Sequence, residues 1–190
     1  VSSLAQFTDY QHARAWTWEH QALVRARCVA GDPGLCAAFD GVRASVLARP
    51  RDLSMLALDV GSMRGRMRAE LDRSVPDRGD AVVFDLKQGE GGLVDLEFLL
   101  QFLVLRDAGA QEALLASRAT SLLLDAARDA GAIDARAHAA LRAAHARLLD
   151  AGIRCTLDRR PRRVPVDGGI EAARAAIRDA VAAQGLRFES

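Results

Sequence analysis

Apolar residues return every three or four positions through almost the whole chain. Leu53, Leu56, Val60, Met63, Met67 and Leu71 form the clearest run, and a period near 3.6 puts them all on one face of a helix. Leu35, Phe39, Val42 and Val46 repeat the pattern. A chain written this way buries stripes, not alternate residues, so it must fold by laying helices against helices. Half of the 190 residues are hydrophobic and only 5% are aromatic, which leaves Leu, Val and Ala to fill the core. The expected class is all-α, a bundle of about six to seven helices with at most one short strand or hairpin near residues 81–87.

Capping and breaking residues punctuate that pattern. Residues 10–30 read as a first helix closed by Gly31. Asp32 and Pro33 then supply an N-cap and a first-turn proline for a second, which Pro50 breaks. The third covers residues 53–71, and residues 74–80, with Pro76 and Gly79, read as a loop. Ala81-Val82-Val83-Phe84-Asp85-Leu86-Lys87 is the one β-like run, followed by Gln88-Gly89-Glu90-Gly91-Gly92, too glycine-rich for a helix or strand interior. Residues 93–106 are apolar on nearly every side and should form the central buried helix. Further helices are expected over 111–130, 135–151 and 169–184, the last two opened by Asp134 and Asp167. Arg159-Arg160-Pro161-Arg162-Arg163 between them reads as a basic surface loop. A chain of this length suits a single helical domain over residues 1–190.

The net charge of +1 hides nearly equal numbers of acids and bases, so no nucleic-acid-binding field spreads over the surface and no nucleic-acid partner is expected. No apolar run approaches the roughly 20 residues of a membrane span, and the start lacks the order of a signal peptide. Cys28, Cys36 and Cys155 are odd in number and have no metal-type spacing, and His12, His20, His138 and His145 lie apart from them. A soluble protein in a reducing cytoplasm, with no metal site, is expected. The opening Val1-Ser2-Ser3, without Met, reads as the start of a fragment of something longer.

No catalytic centre is complete. Asp95 and Glu97 have the spacing of a metal-binding pair, but residues two apart on a helix diverge by about 200°, so they read as first-turn acids complementing the helix dipole or pairing with Arg. Gly61-Ser62 falls inside the third helix and carries nothing. Trp16, Trp18, Glu19 and His20 read as core packing with a buried Glu19–Arg pair, and His138 and His145 as two residues on one helix face, not metal ligands. The Arg159 to Arg163 run reads as a solvated loop, with an acidic protein surface or RNA as alternatives. Lys87 is set apart: it is the only lysine among 26 basic residues, and an ammonium and a guanidinium are not interchangeable. It stands before Gly89-Glu90-Gly91-Gly92 at a helix N-terminus, where backbone N–H groups can hold an anion. Lys87, Gly91 and Gly92 are therefore candidate phosphate-binding residues, with a plain turn as the alternative.

Two stretches carry a resemblance: Ala15-Trp16-Thr17-Trp18-Glu19-His20-Gln21-Ala22-Leu23-Val24-Arg25-Ala26-Arg27 and Phe84-Asp85-Leu86-Lys87-Gln88-Gly89-Glu90-Gly91-Gly92-Leu93-Val94-Asp95-Leu96-Glu97-Phe98. They resemble the glutamine synthetase adenylyltransferase family, and the Trp-Glu-His-Gln wording resembles its C-terminal, adenylylating half. The resemblance implies a bifunctional nucleotidyltransferase that moves AMP between ATP and a tyrosine of glutamine synthetase, with Mg²⁺, under a PII signal protein and glutamine. It also implies that the chain is the helical portion downstream of a nucleotidyltransferase head. The head's Asp-x-Asp and Asp-x-Arg-Leu-Arg-Pro elements are not in these 190 residues, and Gly61-Ser62 has no Asp-x-Asp after it as the head's Gly-Ser does. No catalytic residue is therefore expected here, and ATP and Mg²⁺ belong to the intact enzyme. Its partners would be glutamine synthetase, PII and its own N-terminal domains. The alternative is a purely regulatory scaffold that docks PII or glutamine synthetase.

Overall fold

The computed structural model describes residues 2–76 and 82–188. Among them are nine helices: α1 (Leu4–Ala13), α2 (Thr17–Arg25), α3 (Pro33–Leu47), α4 (Leu53–Leu71), α5 (Leu93–Asp107), α6 (Ala113–Ala116), α7 (Thr120–Asp129), α8 (Ala135–Leu157) and α9 (Gly168–Ala183). Three short strands accompany them, β1 (Val75–Pro76), β2 (Val82–Asp85) and β3 (Arg163–Pro165). The fold is mostly α, as the periodicity predicts. None of the described helices is long and apolar enough to cross a membrane.

The expected caps Asp32, Asp134 and Asp167 act where the sequence put them, and Asp52 caps α4 in the same way. Asp32, Asp52, Asp134 and Asp167 each accept the backbone N–H three residues on, at 2.9, 2.9, 2.7 and 2.7 Å, satisfying donors that a helix start leaves orphaned. Helix α5 is the core. Leu96, Leu99, Leu103 and Val104 on it are buried to 1% or less, and α2, α4, α7, α8 and α9 all pack around it.

Two expected helices prove to be pairs. Residues 10–30 break at Arg14–Trp16, because Glu19 reaches back to the Trp16 N–H at 2.8 Å and also takes the Tyr10 hydroxyl at 2.8 Å. A fresh helix start at Thr17 thus gains two hydrogen bonds that a continuous helix would forgo. The helix then ends at Arg25, well before Gly31. Residues 111–130 divide into α6 and α7. Helix α8 runs six residues past its expected end at Ala151.

The expected strand is present as β2, within residues 81–87; Ala81 and residues 77–80 of the expected loop lie outside the described residues. It pairs antiparallel with β1 (Val75↔Val83) and, unexpectedly, with β3 (Phe84↔Val164, Asp85↔Arg163). The basic segment read as a surface loop therefore runs into a strand. Leu86 N–H donates to the Arg162 carbonyl at 3.0 Å beside this pairing, and Val164 and Val166 pack against the core. Cys155 is free and buried, but Cys28 and Cys36 are joined in a disulfide across the α2–α3 connection, a correction to the expected reduced state.

Gly61, in the middle of α4, marks a close approach. A Cβ there would lie 2.3 Å from the carbonyl oxygen of Arg187, so the chain's last described segment runs directly over the helix. On an exposed helix Gly→Ala would stabilise by about 1 kcal/mol. Gly61→Ala is expected to do the reverse and destabilise by about 1–3 kcal/mol, read as a lower urea midpoint; a raised midpoint would show that residues 186–188 are not held there.

Candidate functional site

The turn between β2 and α5 is built from its own side chains outward. Asp85 Oδ1 accepts the N–H groups of Lys87 and Gln88, both at 2.9 Å, a local turn that aspartate makes readily. Gly92 N–H donates to Gly89 O at 2.8 Å, Leu93 N–H to Leu86 O and Val94 N–H to Lys87 O, both at 3.1 Å. Gly91 N–H donates to Asp95 Oδ2 at 2.7 Å. Gly91 has φ +77° and a Cβ there would meet the Arg174 carbonyl oxygen at 2.6 Å, so only glycine fits. The amide donors of the expected anion cradle at Gly91 and Gly92 thus have partners inside the chain, and these residues give the turn its shape. Lys87 differs, because its side chain is exposed.

Beneath the turn lies a buried ion pair. Arg64 of α4 and Asp95 of α5 meet at 2.6 Å, both almost wholly out of solvent. Arg64 Nη2 also donates to Gln88 O at 2.6 Å. Burial pushes the Asp95 carboxyl up, while Arg64 and the Gly91 N–H pull it back down. Glu97 faces elsewhere and pairs with Arg25 at 2.7 Å. The two carboxylates diverge as helix geometry requires, each held by its own arginine. Among the described residues no three His, Cys, Asp or Glu side chains gather as a metal site would need.

Lys87 opens onto a cleft of about 220 Å³ that the fold draws together from distant parts of the chain. Arg25 comes from the end of α2, Glu97 with Leu93 and Val94 from the start of α5, and Thr120 from the start of α7. His145 and Leu149 come from α8, and Arg162 from the approach to β3. Burial and the nearby Arg142 and Arg25 hold the His145 imidazole below its ordinary value, with Glu97 opposing them. Arg25 is engaged by Glu97, and its Nη1 also lies 3.4 Å from Thr120 Oγ1. Among the described residues neither Lys87 nor Arg162 has a carboxylate within ion-pair distance. The cleft is therefore lined by three cations and one carboxylate, together with the apolar side chains of Leu93, Val94 and Leu149.

Some of the other candidates resolve differently from their sequence reading. Trp16 and Trp18 are 70% and 50% exposed and so do not pack in the core. Glu19 has Tyr10 as its partner and not an arginine. His20 is buried, bonded to the Gln11 carbonyl at 3.0 Å and to Arg51 at 3.1 Å, and burial lowers its pKa. His138 pairs with Asp125 at 2.7 Å, away from His145. One residue went unmarked in the sequence. Arg43, 2% exposed, donates to the carbonyls of Leu23, Val24 and Leu115 at 2.7, 2.7 and 2.9 Å, and burial lowers its pKa to about 10.

Residues 1–42 match the family described as glutamate-ammonia ligase adenylyltransferase, and residues 61–184 match the one described as GlnD PII-uridylyltransferase. The chain is 57% identical over 188 residues to the bifunctional glutamine synthetase adenylyltransferase/adenylyl-removing enzyme of Stenotrophomonas maltophilia K279a, covering 99% of this chain and 20% of that protein. It is 54% identical over 188 residues to the enzyme of the same name from Xanthomonas axonopodis pv. citri, covering 99% of this chain and 19% of that protein. With the one from Hahella chejuensis it shares 38% identity over 174 residues, covering 92% and 18%. The chain spans about a fifth of the length of the curated relatives it matches.

Proposed function

Because the chain belongs to the glutamine synthetase adenylyltransferase family, we propose that it is the helical portion of an enzyme that adenylylates and deadenylylates a tyrosine of glutamine synthetase. In this reading a nucleotidyltransferase head elsewhere in the protein carries the carboxylates that hold Mg²⁺ and ATP, and PII sets the direction. The chain supports that active site from outside and docks partners in the cytoplasm. The observation that carries this division of labour is the opposed pairing of Asp95 with Arg64 and of Glu97 with Arg25. Two-metal phosphoryl transfer needs carboxylates that converge and stay unpaired, and these do neither. Lys87, on its pinned turn with Gly91 and Gly92, is the residue of the chain proposed to face a phosphate.

The 190-residue chain alone is therefore expected to incorporate no labelled AMP into glutamine synthetase; measurable incorporation would end this reading. In the intact enzyme Lys87→Arg is expected to lower adenylylation about tenfold, one weakened charge-assisted contact, with the melting temperature unchanged. Full activity in that variant would remove Lys87 from the active site.

A second reading, a regulatory scaffold, draws on the exposure of Trp16 and Trp18, since exposed tryptophans are over-represented among interface anchors. Titrating the chain with PII and with ATP separates the two: heat on PII alone favours the scaffold.

A further inference from the structure

We propose that the cleft walled by Arg25, Lys87, His145 and Arg162 is a binding site for a compact oxyanion, a phosphoryl group or a small carboxylate. The proposal deepens the reading of Lys87 as a phosphate-facing cation and rests on it, but it adds a binding site whose other members come from three further parts of the fold.

The charge balance is the first support. Three cations share one small cleft with a single carboxylate, and that carboxylate already holds Arg25 at 2.7 Å. Like charges gathered this way repel, and a bound anion relieves the repulsion while accepting their hydrogen bonds. Preorganisation is the second support. Lys87 and Arg162 are brought side by side by backbone geometry: Asp85 Oδ1 fixes the Lys87 N–H, and Leu86 N–H fixes the Arg162 carbonyl. Arg162 Nε is steadied by Thr156 Oγ1 at 3.3 Å, leaving its outer guanidinium nitrogens for a ligand. A ligand here meets cations whose backbones need no rearrangement, which lowers the entropy cost of binding. Size and lining set the class. About 220 Å³, with Leu93, Val94 and Leu149 as the apolar part of its lining, admits a phosphate group or a short carboxylate.

The test is titration of the 190-residue chain with inorganic phosphate, with metal-free ATP and with acetate, followed by amide chemical shifts. Saturable binding of at least one is expected, with shifts clustered at residues 86–94 and around His145. Lys87→Gln and Arg162→Gln should each weaken it about tenfold, and Arg159→Gln, exposed and outside the cleft, should leave it unchanged. Tighter ATP than phosphate assigns a nucleotide, equal affinity a free phosphate, and tighter acetate a carboxylate ligand; each supports the site. Absence of saturable shifts with all three probes, or equal losses in the Arg159→Gln control, overturns it. Failure of the two readings is separable. If phosphate binds yet Lys87→Arg in the intact enzyme is fully active, the cleft stands and the catalytic reading of Lys87 falls. If nothing binds but that variant is impaired, the reverse holds.

Discussion

Asp95→Ala is expected to destabilise the chain by about 3–5 kcal/mol, because it strands the Arg64 guanidinium in the core without its counter-charge. Against the roughly 5–15 kcal/mol that holds a typical domain together, that is a large share. Arg64 keeps its bond to the Gln88 carbonyl, but a dipole does not neutralise a buried charge. The variant also frees the Gly91 N–H, which donates only to Asp95 among the hydrogen bonds of this turn, so the turn loosens with the core. The pair Arg64→Met with Asp95→Leu should recover most of the loss, since an apolar replacement of both partners avoids desolvating either. The pKa direction agrees: burial outweighs Arg64 in holding the Asp95 carboxyl up. A carboxyl raised in the folded state contributes its stability fully below the unfolded pKa and loses it as pH rises through the folded one. Asp95→Asn should remove that slope. Urea midpoints for the three variants decide the matter, and a loss below about 1 kcal/mol for Asp95→Ala would mean that Arg64 escapes to solvent.

Arg43→Met is the second large effect, expected near 3 kcal/mol or more. Leu23 and Val24 lie in the last turn of α2 and Leu115 in α6, where carbonyls lack intrahelical partners. One guanidinium serves all three. The Leu23 carbonyl retains a 3.2 Å contact from Ala26 N–H, so the loss falls mainly on Val24 and Leu115, each a buried acceptor worth about 1–3 kcal/mol when left bare. Arg43→Lys should lose nearly as much, because a single ammonium cannot span carbonyls on two helices. A Lys variant as stable as the parent would refute this account. Arg25 directly follows Val24, so phosphate affinity in the cleft should also fall.

Much of this architecture could be read in advance, for physical reasons. The central helix showed because it is apolar on every side, α4 because of its apolar stripe, and α3, α8 and α9 because each has an aspartate that caps. The divergence of Asp95 and Glu97 followed from helix geometry alone. What stayed hidden depends on pairing over distance. The break before Thr17 is the local exception, resting on Glu19 capping the Trp16 N–H three residues back with no side-chain cap at Trp16 to mark it, whereas one short strand rests on an arginine-rich segment meeting β2. Arg43 looked like any other arginine, since nothing local distinguishes a guanidinium that ends in solvent from one that ends on three carbonyls. Lys87 drew notice through composition, but Arg25, His145 and Arg162 could not be grouped with it until the fold set them around one cleft.

Of the two antiparallel partners of β2, β1 precedes it closely and β3 lies about 80 residues further along the chain, and that second spacing has a meaning for synthesis. At about 5–20 residues per second, a ribosome delivers Val82-Val83-Phe84-Asp85 several seconds before Arg163-Val164-Pro165 arrives to cover it. During that interval β2 has an open edge and a single charge in a β-prone run, the pattern that invites pairing with other chains. Arg162 enters with the same late segment, so the cleft around Lys87 is completed only when the C-terminal part of the chain comes home.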